Sequence, residues 1–225
     1  GEKSVDMKYK AVIFDMDGTL LNTLEDLAVS TDYALRKCGY PERTLDEVRG
    51  FVGNGVERLI SLSVPDGTKK DDELRCLEIF KKHYAANSRI YTKPYDGIAE
   101  LLFRLKDINI KIGVVSNKFH AALTVLCDDF FGSLTDYAVG SKQGIPKKPS
   151  PECVFECMNA LGCTAGETLY VGDSEVDVMT AENAGLKCAG VLWGFRDEAL
   201  LKTLGTDYIV SKPSEIYDIV IGEKI

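Results

Sequence analysis

An α/β architecture built on a parallel sheet is predicted by three features of this sequence. Short β-prone apolar runs alternate with helical segments from Pro94 to Val210. Runs such as Ala11–Phe14 and Ile112–Val115 are apolar without alternation, as expected of strands covered on both faces. One more such run, Tyr9–Phe14, stands upstream, separated from the others by a block with helical periodicity alone. A length of 225 residues accommodates one large domain, or one domain carrying a smaller insertion. The economical division places residues 1–21 and 89–225 in a sheet-based core with helices on both faces, and residues 22–88 in an inserted α-helical unit.

Each element has a local signature. Tyr9–Phe14 ends at a polar turn carrying Asp15 and Asp17. Asn22 with Glu25 reads as a capping box, after which Leu24, Leu27, Ala28, Thr31, Leu35 and Cys38 share one helical face until Gly39 and Pro41 stop it. Thr44 with Glu47 opens a shorter helix, interrupted by "RGFVGNGVERL", and Asp71–Asn87 carries Leu74, Leu77, Phe80 and Tyr84 at helical spacing. Downstream, helices are expected over Ile98–Lys106, His120–Leu126, Pro151–Leu161, Val176–Ala184 and Ala199–Leu204. Strands are expected over Lys111–Val115, Tyr137–Val139, Thr168–Val171, Cys188–Leu192 and Tyr208–Val210.

Composition narrows the function. The 45% hydrophobic and 28% charged fractions are those of an ordinary globular chain, and no apolar run approaches the length of a bilayer-spanning helix. The segment Gly1–Lys10 lacks the apolar core of a secretory signal, so a cytoplasmic location is expected. A net charge of -8 argues against nucleic acid or an anionic membrane as partner, while a small anionic ligand needs only local positive charge. Seven cysteines, an odd number, exclude a complete intrachain disulfide framework and fit reduced thiols. Cys153 and Cys157 lie four apart on one helix, but no second Cys/His pair completes a zinc site. Nothing in the sequence sets an oligomeric state.

In open parallel sheets, ligands bind outside the carboxyl ends of the strands. Polar residues gather at those positions: Asp15 and Asp17; Ser116 and Asn117; "KKPSP" before the helix at Pro151; and Gly172, Asp173, Ser174 and Asp177. Asp17-Gly18 on its own is also a good turn. Several converging carboxylates cost repulsion and desolvation unless a cation joins them, and a hard divalent ion such as Mg2+ suits oxygen ligands. His83 and His120 have no neighbouring nucleophile pattern, and no cysteine occupies an electropositive loop.

"DMDGT" at 15–19, "VVSNK" at 114–118, "KKPSP" at 147–151 and "GDSEVD" at 172–177 resemble, in order, the four motifs of the haloacid dehalogenase superfamily. The resemblance spans nearly the whole chain and implies a Rossmann-like core with a helical cap. It makes Asp15 the nucleophile that forms an aspartyl phosphate, and Asp17 the acid/base that protonates the leaving oxygen and then activates water. Mg2+ would be held by Asp15, the Asp17 backbone carbonyl and Asp173, with Asp177 supporting from outside. Ser116 and Lys148 would hold the phosphoryl oxygens beside the Asn117 backbone, with Lys147 as the rival to Lys148.

The segment Arg49–Leu59 resembles the cap specificity loop of the phosphoglycolate phosphatase-like branch, implying Gly53, Asn54 and Gly55 near an anionic leaving group with Arg49 and Arg58 as charge partners. A loop turn without ligand contact is the plainer reading of those glycines. The family often has Asp where this chain has Asn22, which serves equally as a helix cap. The implied function is a magnesium-dependent phosphatase for a small phosphorylated metabolite, 2-phosphoglycolate first. The alternatives are a mutase resembling β-phosphoglucomutase, or a phosphatase for nucleotides, sugar phosphates or pyrophosphate. No convincing cap lysine supports phosphonoacetaldehyde cleavage, and a binding module would have no need of both Asp15 and Asp17.

Overall fold

In the computed structural model, which describes residues 7–223, the chain starts its central strand β1 at Ala11–Phe14. Gly1–Asp6, most of the segment read for a signal, lie outside the described residues. All four β1 residues are buried, which explains the unbroken apolar run. Strands β4 (Lys111–Phe119), β5 (Tyr137–Ser141), β6 (Thr168–Gly172), β7 (Lys187–Val191) and β8 (Tyr208–Val210) join β1 in one parallel sheet. Their order is β5-β4-β1-β6-β7-β8. The chain therefore works outward from β1 on one side and then returns to its other side, which puts the topological switch at β1 itself.

Helices α5 (Ile98–Asp107), α6 (His120–Phe130) and α10 (Ser214–Val220) pack on one face against Val12, Phe14, Val114 and Val171. Helices α7 (Glu152–Leu161), α8 (Glu175–Ala184) and α9 (Glu198–Thr203) cover the other, against Ile13, Val115 and Tyr170. Cys153 and Cys157 belong to that second apolar layer and are free thiols, so their spacing serves packing. Helix α10 was not anticipated; Pro213 at its N-cap and buried Ile216, Ile219 and Val220 account for it.

Between β1 and α5 the chain forms α1 (Leu24–Lys37), α2 (Leu45–Phe51), α3 (Val56–Ser63) and α4 (Lys70–Asn87), with a buried cluster of their own that includes Leu35, Ile60, Phe80 and Tyr84. The Thr44–Glu47 capping box forms in both directions. Leu74 faces outward instead of joining the apolar stripe. Asn22 does not cap α1. It lies exposed in β2 (Leu21–Asn22), paired antiparallel with β3 (Lys93–Pro94), and the N-cap is Thr23.

That two-stranded ribbon closes the base of the helical block, and Asp26 reinforces it. The Asp26 carboxylate, 2% exposed, accepts the N–H groups of Tyr91 and Thr92 and the Thr92 hydroxyl, at 2.7 to 3.2 Å. Removing the acceptor strands buried donors. Asp26→Ala should therefore cost about 3 kcal/mol of unfolding free energy in urea titrations, and Asp26→Asn less, since one acceptor oxygen survives.

Candidate active site

The carboxyl ends of β1, β4 and β6 lie side by side, and the polar residues converge there. The Asp15 N–H still bonds to Val171 O at 2.9 Å, so strand geometry carries the nucleophile candidate to the rim. The chain then coils tightly, with the N–H groups of Thr19, Leu20 and Leu21 all turned to Met16 O. Gly18 has φ 81°, and a Cβ there would strike the Asp173 carboxylate, so glycine is needed twice over. Asp15 Oδ1 accepts the Met16 N–H at 2.7 Å and lies 3.2 Å from Lys148 Nζ. Asp17 Oδ1 accepts the Thr23 hydroxyl at 2.6 Å and lies 3.1 Å from Lys118 Nζ.

Asp173, just after β6, and Asp177, in the first turn of α8, enter the same space. A Cβ at Gly172 would collide with the Asp177 side chain, so this glycine permits the approach. Asp177 is fully engaged: Oδ1 accepts Lys148 Nζ and the Tyr170 hydroxyl, while Oδ2 accepts the N–H groups of Asp173 and Ser174 and the Ser174 hydroxyl. Asp173 accepts Thr19 Oγ1 at 3.1 Å and the Phe195 N–H at 2.9 Å. Lys148 Nζ, 2% exposed at the side chain, also donates to Val115 O and Tyr170. Lys147 points elsewhere, donating to Asn54 O in the α2–α3 loop at 2.5 Å.

One ammonium between two buried carboxylates leaves a surplus of negative charge. Burial, and then the Asp177 charge, push the Asp15 carboxyl well above the usual range against the pull of Lys148. Burial and Asp177 likewise raise Asp173 to about 7. Asp177 is itself desolvated, but Lys148 and the Tyr170 hydroxyl outweigh burial and hold it below its ordinary value. Oxygen atoms of Asp15, Asp173 and Asp177 lie within 4.8 Å of one another, the one group among the described residues that could hold a metal ion. The donor set fits a hard divalent cation, which would keep Asp15 and Asp173 ionised. Asp177, with both oxygens already occupied, suits an orienting role outside the ligand set.

A cavity of about 40 Å³ opens onto these groups. Its core side includes Asp15, Asp17, Ser116, Asn117, Lys118 and Asp173. Its other side, from the helical block, is Leu27, Val52, Gly53, Gly55, Val56 and Leu59. Ser116 Oγ accepts the Lys118 N–H and keeps its own proton to donate. The Asn117 amide clips three segments together, donating to Gly53 O and Lys148 O and accepting the Lys148 N–H. Arg49 and Arg58 are not in the cavity wall. Helix α3 buries Val56, Leu59 and Ile60, which turns Arg58 to the exposed face. Arg49 contributes its carbonyl, not its guanidinium, to Arg196. Asn54 engages Lys147 through its carbonyl and does not line the space. His83 bonds to Ser30, and His120 accepts the Gly140 N–H, so neither faces the carboxylates.

Three contributors escaped the sequence reading. Lys118 belongs to "VVSNK" but had no assigned task, and Tyr84 passed as helix core. Arg196 follows β7 and donates to the carbonyls of Arg49, Val52 and Gly50 while pairing with Glu175 at 2.9 Å, strapping the α2–α3 loop to the core. Its neighbour Phe195 holds Asp173, so a single short loop serves both cap and carboxylate.

The sequence pattern of the haloacid dehalogenase-like hydrolases matches residues 12–191. A phosphoglycolate phosphatase from Aquifex aeolicus is 33% identical over 208 residues, spanning 92% of this chain and 94% of its own length. One from Pseudomonas savastanoi pv. phaseolicola is 35% identical over 192 residues, spanning 83% and 70%. A crystal structure from Lactobacillus delbrueckii subsp. bulgaricus, named by prediction as a phosphoglycolate phosphatase, superposes with a TM-score of 0.91 at 35% identity, covering 96% of this chain and all (100%) of that one. A β-phosphoglucomutase from Clostridium difficile shares the fold, with a TM-score of 0.74 at 19% identity over 92% of this chain and 93% of its own.

The raised Asp173 carboxyl makes stability depend on pH. In the metal-free protein the folded state keeps this proton between about pH 4 and 7 while the unfolded state releases it, so the folded state loses ground as pH rises through that window. The penalty approaches about 4 kcal/mol above it. Asp173→Asn removes the charge. In EDTA, denaturant titrations should find this variant more stable than wild type at pH 8, with the gap shrinking toward pH 5; a gap independent of pH would contradict the assignment.

Proposed function

The chain belongs to the haloacid dehalogenase-like hydrolases, and from that premise we propose that it hydrolyses 2-phosphoglycolate, a small phosphate monoester, through an aspartyl phosphate on Asp15. The observation that carries this reading is the pair Asp15 and Asp17, held by separate lysines at the mouth of the cavity between the sheet and the helical block. Asp15 attacks phosphorus without first losing a proton, once a cation has set its charge. Asp17 gives a proton to the departing alkoxide and then takes one from the water that cleaves the acyl phosphate. Ser116 donates its hydroxyl to a nonreacting phosphoryl oxygen, with Asn117 in the same wall.

Lys148 is better described as holding Asp15 and Asp177 in register; its ammonium neutralises charge where the phosphoryl group approaches. The cation we assign is Mg2+, held by Asp15, Asp173 and the Asp17 carbonyl, and when bound it offsets repulsion between nucleophile and phosphate. Supporting an anionic leaving group, Gly53, Gly55 and Val56 line the cavity at the N-terminal end of α3, where backbone N–H groups and the helix dipole favour negative charge. The mutase alternative gains less support, because Leu27, Val52, Val56 and Leu59 offer no partners for sugar hydroxyls.

We place the unit 22–88 as the cap and the rest as the catalytic core, and assign a cytoplasmic location on the strength of seven free thiols. Among the described residues no helix is long and apolar enough to cross a membrane. Phosphate release from a panel containing 2-phosphoglycolate, sugar phosphates, nucleotides and pyrophosphate tests the reading. 2-Phosphoglycolate should be preferred, EDTA should abolish turnover and Mg2+ should restore it. Asp15→Asn should lower kcat by about 10³-fold or more, and Asp17→Asn by about 10²- to 10⁴-fold. Preference for a larger ester would overturn the substrate and keep the chemistry; full activity in Asp15→Asn would overturn the chemistry.

A further inference from the structure

We infer that Lys118 is a positioning residue for the acid/base carboxylate: with Thr23 it pins Oδ1 of Asp17, leaves Oδ2 to carry the transferred proton, and through Tyr84 ties that orientation to the cap. The inference rests on the phosphatase reading above and adds to it an atom, a second lysine and a cap residue.

Both hydrogen-bonding contacts of the Asp17 side chain fall on the same oxygen. Thr23 Oγ1 donates to Oδ1 at 2.6 Å and Lys118 Nζ lies 3.1 Å from it. A carboxylate held twice at one oxygen cannot rotate freely, and a proton added to it goes to the other oxygen, because Oδ1 already faces an ammonium and a hydroxyl proton. Lys118 is itself confined. Its side chain is 2% exposed, and its ammonium donates to the Tyr84 hydroxyl at 2.5 Å while lying 4.3 Å from the centre of the same ring. Tyr84 is fully buried on α4, stacked on Phe80, so the far anchor is part of the cap's own core. Lys118 comes from β4 in the sheet, whereas Tyr84 comes from the cap, and the ammonium is the link between them.

The proton ledger follows from this geometry. As the bond from Asp15 to phosphorus forms and the bond from phosphorus to the leaving oxygen breaks, the Oδ2 proton of Asp17 passes to the leaving oxygen. Oδ2 then accepts a proton from water as the water oxygen bonds to phosphorus and the Asp15 carboxylate departs, which restores the starting state. Lys118 keeps its protons throughout.

A lysine that only filled space would slow every substrate alike, and one that bound the leaving group would raise KM. Positioning of the acid/base has a different signature, because an alkoxide leaving group needs a proton while a dinitrophenolate does not. The experiment compares wild type, Lys118→Met, Lys118→Arg and Tyr84→Phe, with Mg2+, on 2-phosphoglycolate and on 2,4-dinitrophenyl phosphate, by steady-state and stopped-flow kinetics. With Lys118→Met, kcat on 2-phosphoglycolate should fall about 10²-fold with KM within about threefold. On the dinitrophenyl ester the variant should release one equivalent of dinitrophenol in a fast burst, then settle to a steady rate about 10²-fold below wild type, since only the water step now lacks its base. Lys118→Arg should recover part of the loss, and Tyr84→Phe should show the same pattern at about tenfold.

Equal slowing of both substrates without a burst, or a rise in KM at unchanged kcat, would overturn the inference. If Lys118→Met does not fold, Tyr84→Phe, which removes one oxygen, decides the matter by the same burst criterion. Wild type that releases no phosphate from either ester would instead overturn the phosphatase reading on which the inference stands.

Discussion

Four carboxylates, three at the ends of the adjacent strands β1 and β6 and one in the first turn of α8, set the constraint around which the site is built. Asp15, Asp173 and Asp177 are buried, and Asp17 is close to it, in a region where water cannot screen one from another. The chain meets that charge with two lysines whose ammonium groups are among its least exposed cations. Burial works against charge on Lys148, yet Asp15 and Asp177 more than compensate and hold its pKa above the ordinary lysine value; Asp17 and Tyr84 do the same for Lys118. A buried ion pair is weak evidence of stability, because desolvation consumes most of the Coulomb gain. Its value here is geometric: each lysine fixes one oxygen of one reacting carboxylate.

The helical block proposed as the cap is held by polar contacts to its backbone as well as by side-chain packing on Phe195 and Ala122. Arg196 takes three carbonyls near the C-terminal end of α2, Lys147 takes Asn54 O and Asn117 takes Gly53 O. Carbonyls at a helix end lack partners within the helix, so cations from the core satisfy groups that would otherwise need water. This arrangement sets the loop containing Gly53 and Gly55 against the carboxylates without depending on what side chains the loop carries. Of the two arginines singled out there, Arg49 contributes its carbonyl to this strapping, and Arg58 lies on the exposed face of α3.

The core was legible because its signals are local. Runs such as "AVIF" and "TLYV" are buried on both faces, and the motif carboxylates follow them directly. What escaped depends on distant partners. Asn22 and Glu25 satisfy the capping pattern, but pairing of Leu21 and Asn22 with Pro94 and Lys93 outcompetes it, and no local rule registers a strand so short. Strand β4 runs four residues past its expected end because Ser116, Asn117 and Lys118, polar enough to suggest a turn, each find buried partners. Lys118 looks like an ordinary loop lysine until α4, more than thirty residues upstream, brings Tyr84 to it. Arg58 shows the opposite failure: its motif suggested ligand contact, but the helical phase of α3 decided its direction.

These observations divide the work of selection between the two parts of the chain. The core supplies every charged side chain in the cavity wall, namely Asp15, Asp17, Lys118 and Asp173, while the cap supplies aliphatic groups and glycine backbone. On the proposed function, charge at the phosphoryl end is set by the core alone, and discrimination among esters would fall to apolar contact and the N–H groups at the start of α3. Such a wall would separate small anionic leaving groups by how well they meet a few backbone donors. Chain neighbours of two of these straps hold the carboxylates, Phe195 beside Arg196 for Asp173 and Lys118 beside Asn117 for Asp17, so the loop and the carboxylates share the same short segments. On the proposed chemistry, packing at this seam is where substrate shape would be coupled to proton transfer.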